Sequence, residues 1–147
     1  PGLWVKYSNK SKIDDSKNIT LILDANTKVK SLLTGHVTPQ LIIRCSEKKT
    51  SAFVDWQRFL TSGGLYSRTK VLTRLDKKKA RNTTWVVSTD YKATFKRGKN
   101  ISFIKKLMRH NSLYIQTIPY GESAIYTEFN LRGLKDAIIP LRTACKW

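Results

Sequence analysis

Few residues in this chain have the type and spacing for covalent chemistry. Two carboxylates stand side by side at Asp14-Asp15. Neighbours on a strand point to opposite faces, so they do not form a facing acid–base pair. No third oxygen ligand is spaced near them for a cation. Asp14-Asp15-Ser16 reads instead as a turn whose side chains bond the backbone two residues on. Asp55 lies among aromatics in Phe53-Val54-Asp55-Trp56, a setting that can shift a carboxyl pKa for acid catalysis. The plainer reading is an outward strand residue paired with Arg44 or Arg58. His36 and His110 sit beside turn residues and read as surface histidines. There is no G-x-S-x-G, H-E-x-x-H or phosphate-binding loop, so no catalytic residue is assigned. Cys45 and Cys145 belong to no C-x-x-C pair and have no further ligands nearby, which argues against zinc. No metal or other cofactor is expected. The two cysteines are either two buried thiols or one long-range disulfide.

What the residues do offer is charge. The chain has 28 Lys plus Arg against 10 Asp plus Glu, a net +18 over 147 residues. Such an excess attracts polyanions without saying which. It is uneven. From Arg68 to Arg109 there are 14 basic and 2 acidic residues, a net +12. Lys77, Lys78, Lys79, Arg81, Lys96, Arg97 and Lys99 are the candidate binding residues, chosen on charge alone. Trp85, Tyr91, Phe95 and Phe103 are interleaved with these cations. Exposed aromatics in such a setting could stack on single-stranded nucleic acid. The alternation around Trp85 and Val87, however, places Trp85 in the core.

The elements that must position these side chains are mostly short strands. Asn18–Leu23, Gln40–Cys45, Ser51–Trp56, Arg68–Leu75, Thr84–Ser88, Ala93–Phe95 and Leu113–Ile118 read as strands. Leu3–Tyr7 and Ala124–Phe129 join them, and Lys28–Leu33 is a weaker candidate. Glu47-Lys48-Lys49 looks like a hairpin tip, and Gly63-Gly64 a turn. Asp76–Thr83 is a basic loop. Helices are expected over Ser102–Met108 and over Leu134–Ala144, where Ala137, Ile138, Leu141 and Cys145 recur at helical spacing. Strands spaced 8–14 residues apart point to a mainly β, antiparallel two-sheet sandwich or barrel-like fold. One domain over residues 1–147 is expected. No apolar run approaches the roughly 18 residues of a membrane span. No signal peptide is visible, but the sequence begins at Pro1 rather than Met, so this does not argue for the cytosol.

Taken in order, several segments form a familiar set. Asp14-Asp15-Ser16, Ile43-Arg44-Cys45, Thr50 and Phe53-Val54-Asp55-Trp56 are followed by Arg74-Leu75-Asp76, Trp85, Ser88-Thr89-Asp90 and Ala93. Phe103-Ile104, Leu107, Pro119-Tyr120 and Glu122 come next. The set closes on Phe129-Asn130-Leu131-Arg132-Gly133-Leu134, Ala137-Ile138 and Pro140-Leu141-Arg142-Thr143-Ala144-Cys145-Lys146-Trp147. This resembles the VasI/TagO family of type VI secretion system-associated proteins, from about Trp4 to Trp147. The pattern P-L-R-x-A-C-x-W is its most specific part. Asn130 stands where the family has Asp, Lys146 where a glycine is common, and Lys77-Lys78-Lys79 and the +18 total are atypical.

The resemblance implies a small exported protein of a Gram-negative bacterium, encoded near type VI secretion genes or in a prophage-like setting. It carries no enzymatic activity onto this chain. Export would make a Cys45–Cys145 disulfide the expected state. The expectation is therefore a non-enzymatic, periplasmic accessory or binding protein. Its C-terminal helix would be stapled to the strand ending at Cys45. Its basic face would meet an acidic partner, whether protein, lipid headgroup or cell-wall polymer. The alternative is a nucleic-acid-binding protein, possibly encoded by a prophage.

Overall fold

A computed structural model describes residues 3–31, 35–60 and 68–147. The strands are β1 (Val5–Lys10), β2 (Lys17–Asp24), β3 (Val29–Ser31), β4 (Gly35–Val37), β5 (Gln40–Ser46), β6 (Lys49–Asp55), β7 (Arg68–Leu75), β8 (Arg81–Val87), β9 (Ala93–Phe95), β10 (Ser112–Thr117) and β11 (Ile125–Asn130). The helices are α1 (Asn100–Met108), α2 (Leu134–Ala137) and α3 (Ile139–Cys145). Gly63-Gly64, and the Leu32-Leu33 end of the weak strand, lie outside the described residues.

Alternation sets the sheet. Ile19, Leu21 and Leu23 of β2 are fully buried, as are Leu41, Ile43 and Cys45 of β5, Leu113 and Ile115 of β10 and Phe129 of β11. Each set recurs at period 2, so each strand turns one row inward. These rows, with Trp56, Val71, Trp85, Ile104, Leu107 and Leu141, make one apolar core. Ile42, Phe53 and Ala93 bury a smaller apolar cluster of their own.

The expected pair of sheets is not what the hydrogen bonding builds. Nine strands form one antiparallel sheet in the order β1-β2-β5-β6-β9-β8-β7-β10-β11, and β3-β4 is a separate two-stranded ribbon. The barrel is not closed, since β1 pairs only with β2 and β11 only with β10. The sheet nonetheless curls. After β2, Asn26 N–H donates to the Glu128 carbonyl at 2.8 Å, and Thr127 Oγ1 donates to the Thr27 carbonyl at 2.8 Å. These bonds bring the chain leaving β2 onto β11, at the far end of the strand order.

The expected single helix over Leu134–Ala144 is two helices that meet at Ile138. Pro140 is the cause. It has no N–H, and its ring crowds the carbonyl four residues back, so it fits only the first turn of a new helix. No helix among the described residues is long and apolar enough to cross a membrane.

The final segment is firmly attached. Cys45 and Cys145 form a disulfide across a sequence separation of 100 residues, and α3 packs on β2 and β5. Trp147 Nε1 donates to Thr50 Oγ1 at 2.9 Å. The Arg142 guanidinium lies 5.0 Å from the Trp147 ring centroid, and its Nε donates to the Trp147 carbonyl.

Candidate functional site

The carboxylates first considered for catalysis serve local structure. Asp14 accepts from both the N–H and the hydroxyl of Ser16, the expected turn. Those bonds hold its carboxyl below the ordinary value. Asp55 Oδ1 accepts from Gln57 N–H at 2.9 Å. Its expected arginine partners are engaged elsewhere. Arg58 pairs with Glu122, and Arg44 lies 5.1 Å over the Phe53 ring. Among the described residues, no cluster of His, Cys, Asp and Glu could hold a metal ion.

The basic segment folds into a cleft of about 740 Å³ between the β7–β8 hairpin and α1. Two local features build its walls. The first is the hairpin. The expected basic loop is shorter than the sequence indicates, because Arg81, Asn82 and Thr83 already pair with Thr73, Leu72 and Val71. Arg81 therefore projects from a strand. Asp76 joins the tip to the connection between α1 and β10 by accepting from Asn111 N–H and Ser112 N–H at 3.1 and 3.0 Å. Desolvation alone would raise the Asp76 pKa. The two N–H bonds and nearby His110 outweigh it and hold the carboxyl below its ordinary value.

The second feature is the turn from β9 into α1. Gly98 and Lys99 both take positive φ, 59° and 48°. Asn100 fixes the turn to the sheet. Its Oδ1 accepts from Ala52 N–H at 3.0 Å and its Nδ2 donates to the Lys96 carbonyl at 3.4 Å. Asn100→Ala would leave the buried Ala52 N–H without its acceptor. We expect a loss of about 1–3 kcal/mol, measurable by urea unfolding.

Of the seven cations chosen on charge, the fold gathers Lys78, Lys79, Arg81, Lys96 and Lys99 around the cleft. Lys77 and Arg97 are not among its lining residues. Sequence reasoning did not select Lys106 and Arg109, which complete the wall, or assign His110 to it. The signal was available, since positions 99, 102, 103, 106 and 110 follow helical spacing and share one face. Leu75, Ala80, Trp85 and Phe103 add apolar surface. Trp85 is core, as expected, only 1% exposed, with Nε1 donating to Thr83 Oγ1. Phe103 meets it edge-on at 5.8 Å.

Electrostatically the cleft is strongly basic, with Asp76 a counter-charge at its edge beside His110. No carboxylate lines it among the described residues, and the one ion pair among them, Arg58–Glu122, does not involve it. Lys96 registers the imbalance. Desolvation, followed by the neighbouring charges of Lys106 and Lys99, pushes its pKa below the ordinary value. Its Nζ donates to the Arg97 and Gly98 carbonyls at 3.0 and 3.2 Å and sits 5.8 Å over the Phe103 ring. The protein thus holds cations together in a concave site against their mutual repulsion. An anion placed there would relieve that repulsion.

Fold and site together define a disulfide-stapled antiparallel β domain with a cleft lined by Lys and Arg. The family profile described as type VI secretion system VasI, EvfG matches residues 1–147. The chain belongs to that family of type VI secretion system proteins. Among solved structures, the chain is similar to invasion associated protein B from Bartonella henselae. The two share 16% identity and a TM-score of 0.61, over 99% of this chain and 96% of that one. At that identity the likeness shows the fold alone. No curated protein matches the chain.

Proposed function

We propose that this protein is a non-enzymatic component of a type VI secretion apparatus, working in the periplasm and engaging an anionic partner through the cleft beside α1. The observation that carries this reading is the convergence of seven cations, Lys78, Lys79, Arg81, Lys96, Lys99, Lys106 and Arg109, on one concavity with no lining carboxylate among the described residues. Family membership supports the secretion setting. The Cys45–Cys145 disulfide supports an oxidising compartment. Nucleic acid has less support as the partner. Its single-stranded mode needs open aromatic faces, whereas Trp85 is buried and Phe103 stands edge-on against it.

Complementation tests the proposal. In a strain deleted for the gene, the double variant Arg81→Glu/Lys106→Glu should be exported and disulfide-bonded yet fail to restore type VI secretion. Lys77→Glu/Arg97→Glu lies outside the cleft and should restore it. Full activity of the first variant would remove the cleft from the function.

A further inference from the structure

We infer that the ligand of this cleft is a compact molecule carrying at least two phosphate groups, rather than a carboxylate polymer or an acidic peptide. The inference rests on the cleft being the binding site and adds the chemistry of what it binds.

Charge density points to phosphate. The cleft encloses about 740 Å³, within the range of about 300–1,000 Å³ typical of sites for small ligands. Its two walls present more cations than a short acidic peptide of that size can match, because each carboxylate carries a single charge. A phosphate monoester carries about −1.5 to −2 at neutral pH and offers three acceptor oxygens. Two such groups on a small scaffold supply dense negative charge in little space.

Placement points the same way. The cations are split between the hairpin wall, with Arg81, and the helix wall, with Lys106, so separate anionic groups on one ligand could be held from both sides. Arg81 can grip phosphate oxygens in a bidentate fork, while the lysines act as point charges. The start of α1 adds a second kind of recognition. Its first turn has no acidic residue and no side chain capping its N–H groups, and Ser102 of that turn lines the cleft. Uncapped N–H groups at a helix N-terminus favour phosphate. The apolar lining from Leu75, Ala80 and Phe103 suits the ring or short carbon scaffold between the phosphates.

Calorimetric titration of the oxidised, full chain tests this. The probes are pyrophosphate, malonate as a dicarboxylate of similar reach, and oligoglutamate. Pyrophosphate should bind at least about tenfold more tightly than malonate. Arg81→Gln/Lys96→Gln should weaken it by about tenfold or more, while Lys77→Gln/Arg97→Gln leaves it unchanged. Near-ultraviolet circular dichroism of the aromatic side chains, Trp56 and Trp85 of the core among them, would confirm that the first variant keeps its core. Equal or tighter malonate binding, or pyrophosphate binding indifferent to the cleft variant, overturns the inference. Cleft-dependent binding of oligoglutamate without pyrophosphate binding overturns it too, but leaves the cleft as the functional site. Binding of none of the three overturns both. Sedimentation with vesicles containing phosphatidylinositol bisphosphate, against phosphatidylcholine vesicles, then distinguishes the source. Capture by the former that Arg81→Gln/Lys96→Gln weakens places the phosphates on a lipid. Pyrophosphate binding without such capture places them on a soluble molecule.

Discussion

Arg58→Ala should lower the unfolding free energy by about 3–5 kcal/mol, because it removes the guanidinium from a largely buried ion pair and leaves that charge balance broken. The Arg58 and Glu122 side chains are only 3% and 14% exposed. Arg58 Nη2 reaches both carboxylate oxygens, at 2.7 and 2.8 Å. Nη1 donates to the Lys30 carbonyl at 2.9 Å and Nε to the Phe59 carbonyl at 3.0 Å. One guanidinium therefore ties the β6–β7 connection, the β3–β4 ribbon and the β10–β11 connection together. Arg58→Lys should fail to rescue, since an ammonium cannot reproduce the planar fork. Arg58→Met with Glu122→Gln should recover part of the loss by removing both charges of the pair together. Urea denaturation of the four proteins measures this. Stability within about 1 kcal/mol of the parent for Arg58→Ala, the range of an exposed pair, would show that the contact is superficial.

The second large effect belongs to the disulfide. Replacing Cys45 and Cys145 together by Ala should cost about 2–5 kcal/mol. The enclosed stretch spans 100 residues, for which the chain-entropy account gives about 4.7 kcal/mol. Cys45 is fully buried beside Ile19 and Ile43 in the same core, so Ala also leaves a small void there. Denaturant unfolding with and without reductant separates the two contributions. Reductant should destabilise the parent and leave the double variant unchanged. Alkylation and mass spectrometry of the periplasmic fraction should find both thiols blocked by their bond. Finding the protein in the cytosol with both thiols free would remove the exported setting.

Legibility in the sequence followed the side-chain period. β7 and β9 fall where alternation places them, and β2, β5, β10 and β11 within a residue or two, because each carries a buried apolar row. β8 begins at Arg81 rather than Thr84, because Arg81, Asn82 and Thr83 are solvent-facing and leave no apolar trace of their pairing. β1 is displaced from the expected Leu3–Tyr7 to Val5–Lys10, and every residue in it is exposed. Hydrogen bonds to β2 define it where hydrophobicity could not. The Arg58–Glu122 pair was missed because its members lie 64 residues apart. Nearby Asp55 offered a local partner that the fold does not use. The cleft was half legible. Composition located the charge, but only the hairpin facing α1 separates Lys78 and Lys79, which line the cleft, from Lys77, which does not.

The Cys45–Cys145 bond also has a mechanical meaning. It converts everything between those residues into a covalent ring. The cleft, from Thr73 to His110, and the Arg58–Glu122 clamp both lie inside that ring. Tension applied at the two ends of the chain would pass through the disulfide and bypass the ring. About 340 Å of contour, 100 residues at roughly 3.4 Å each, would be withheld from extension. β1 and β2 could peel away under load while the cleft stayed folded.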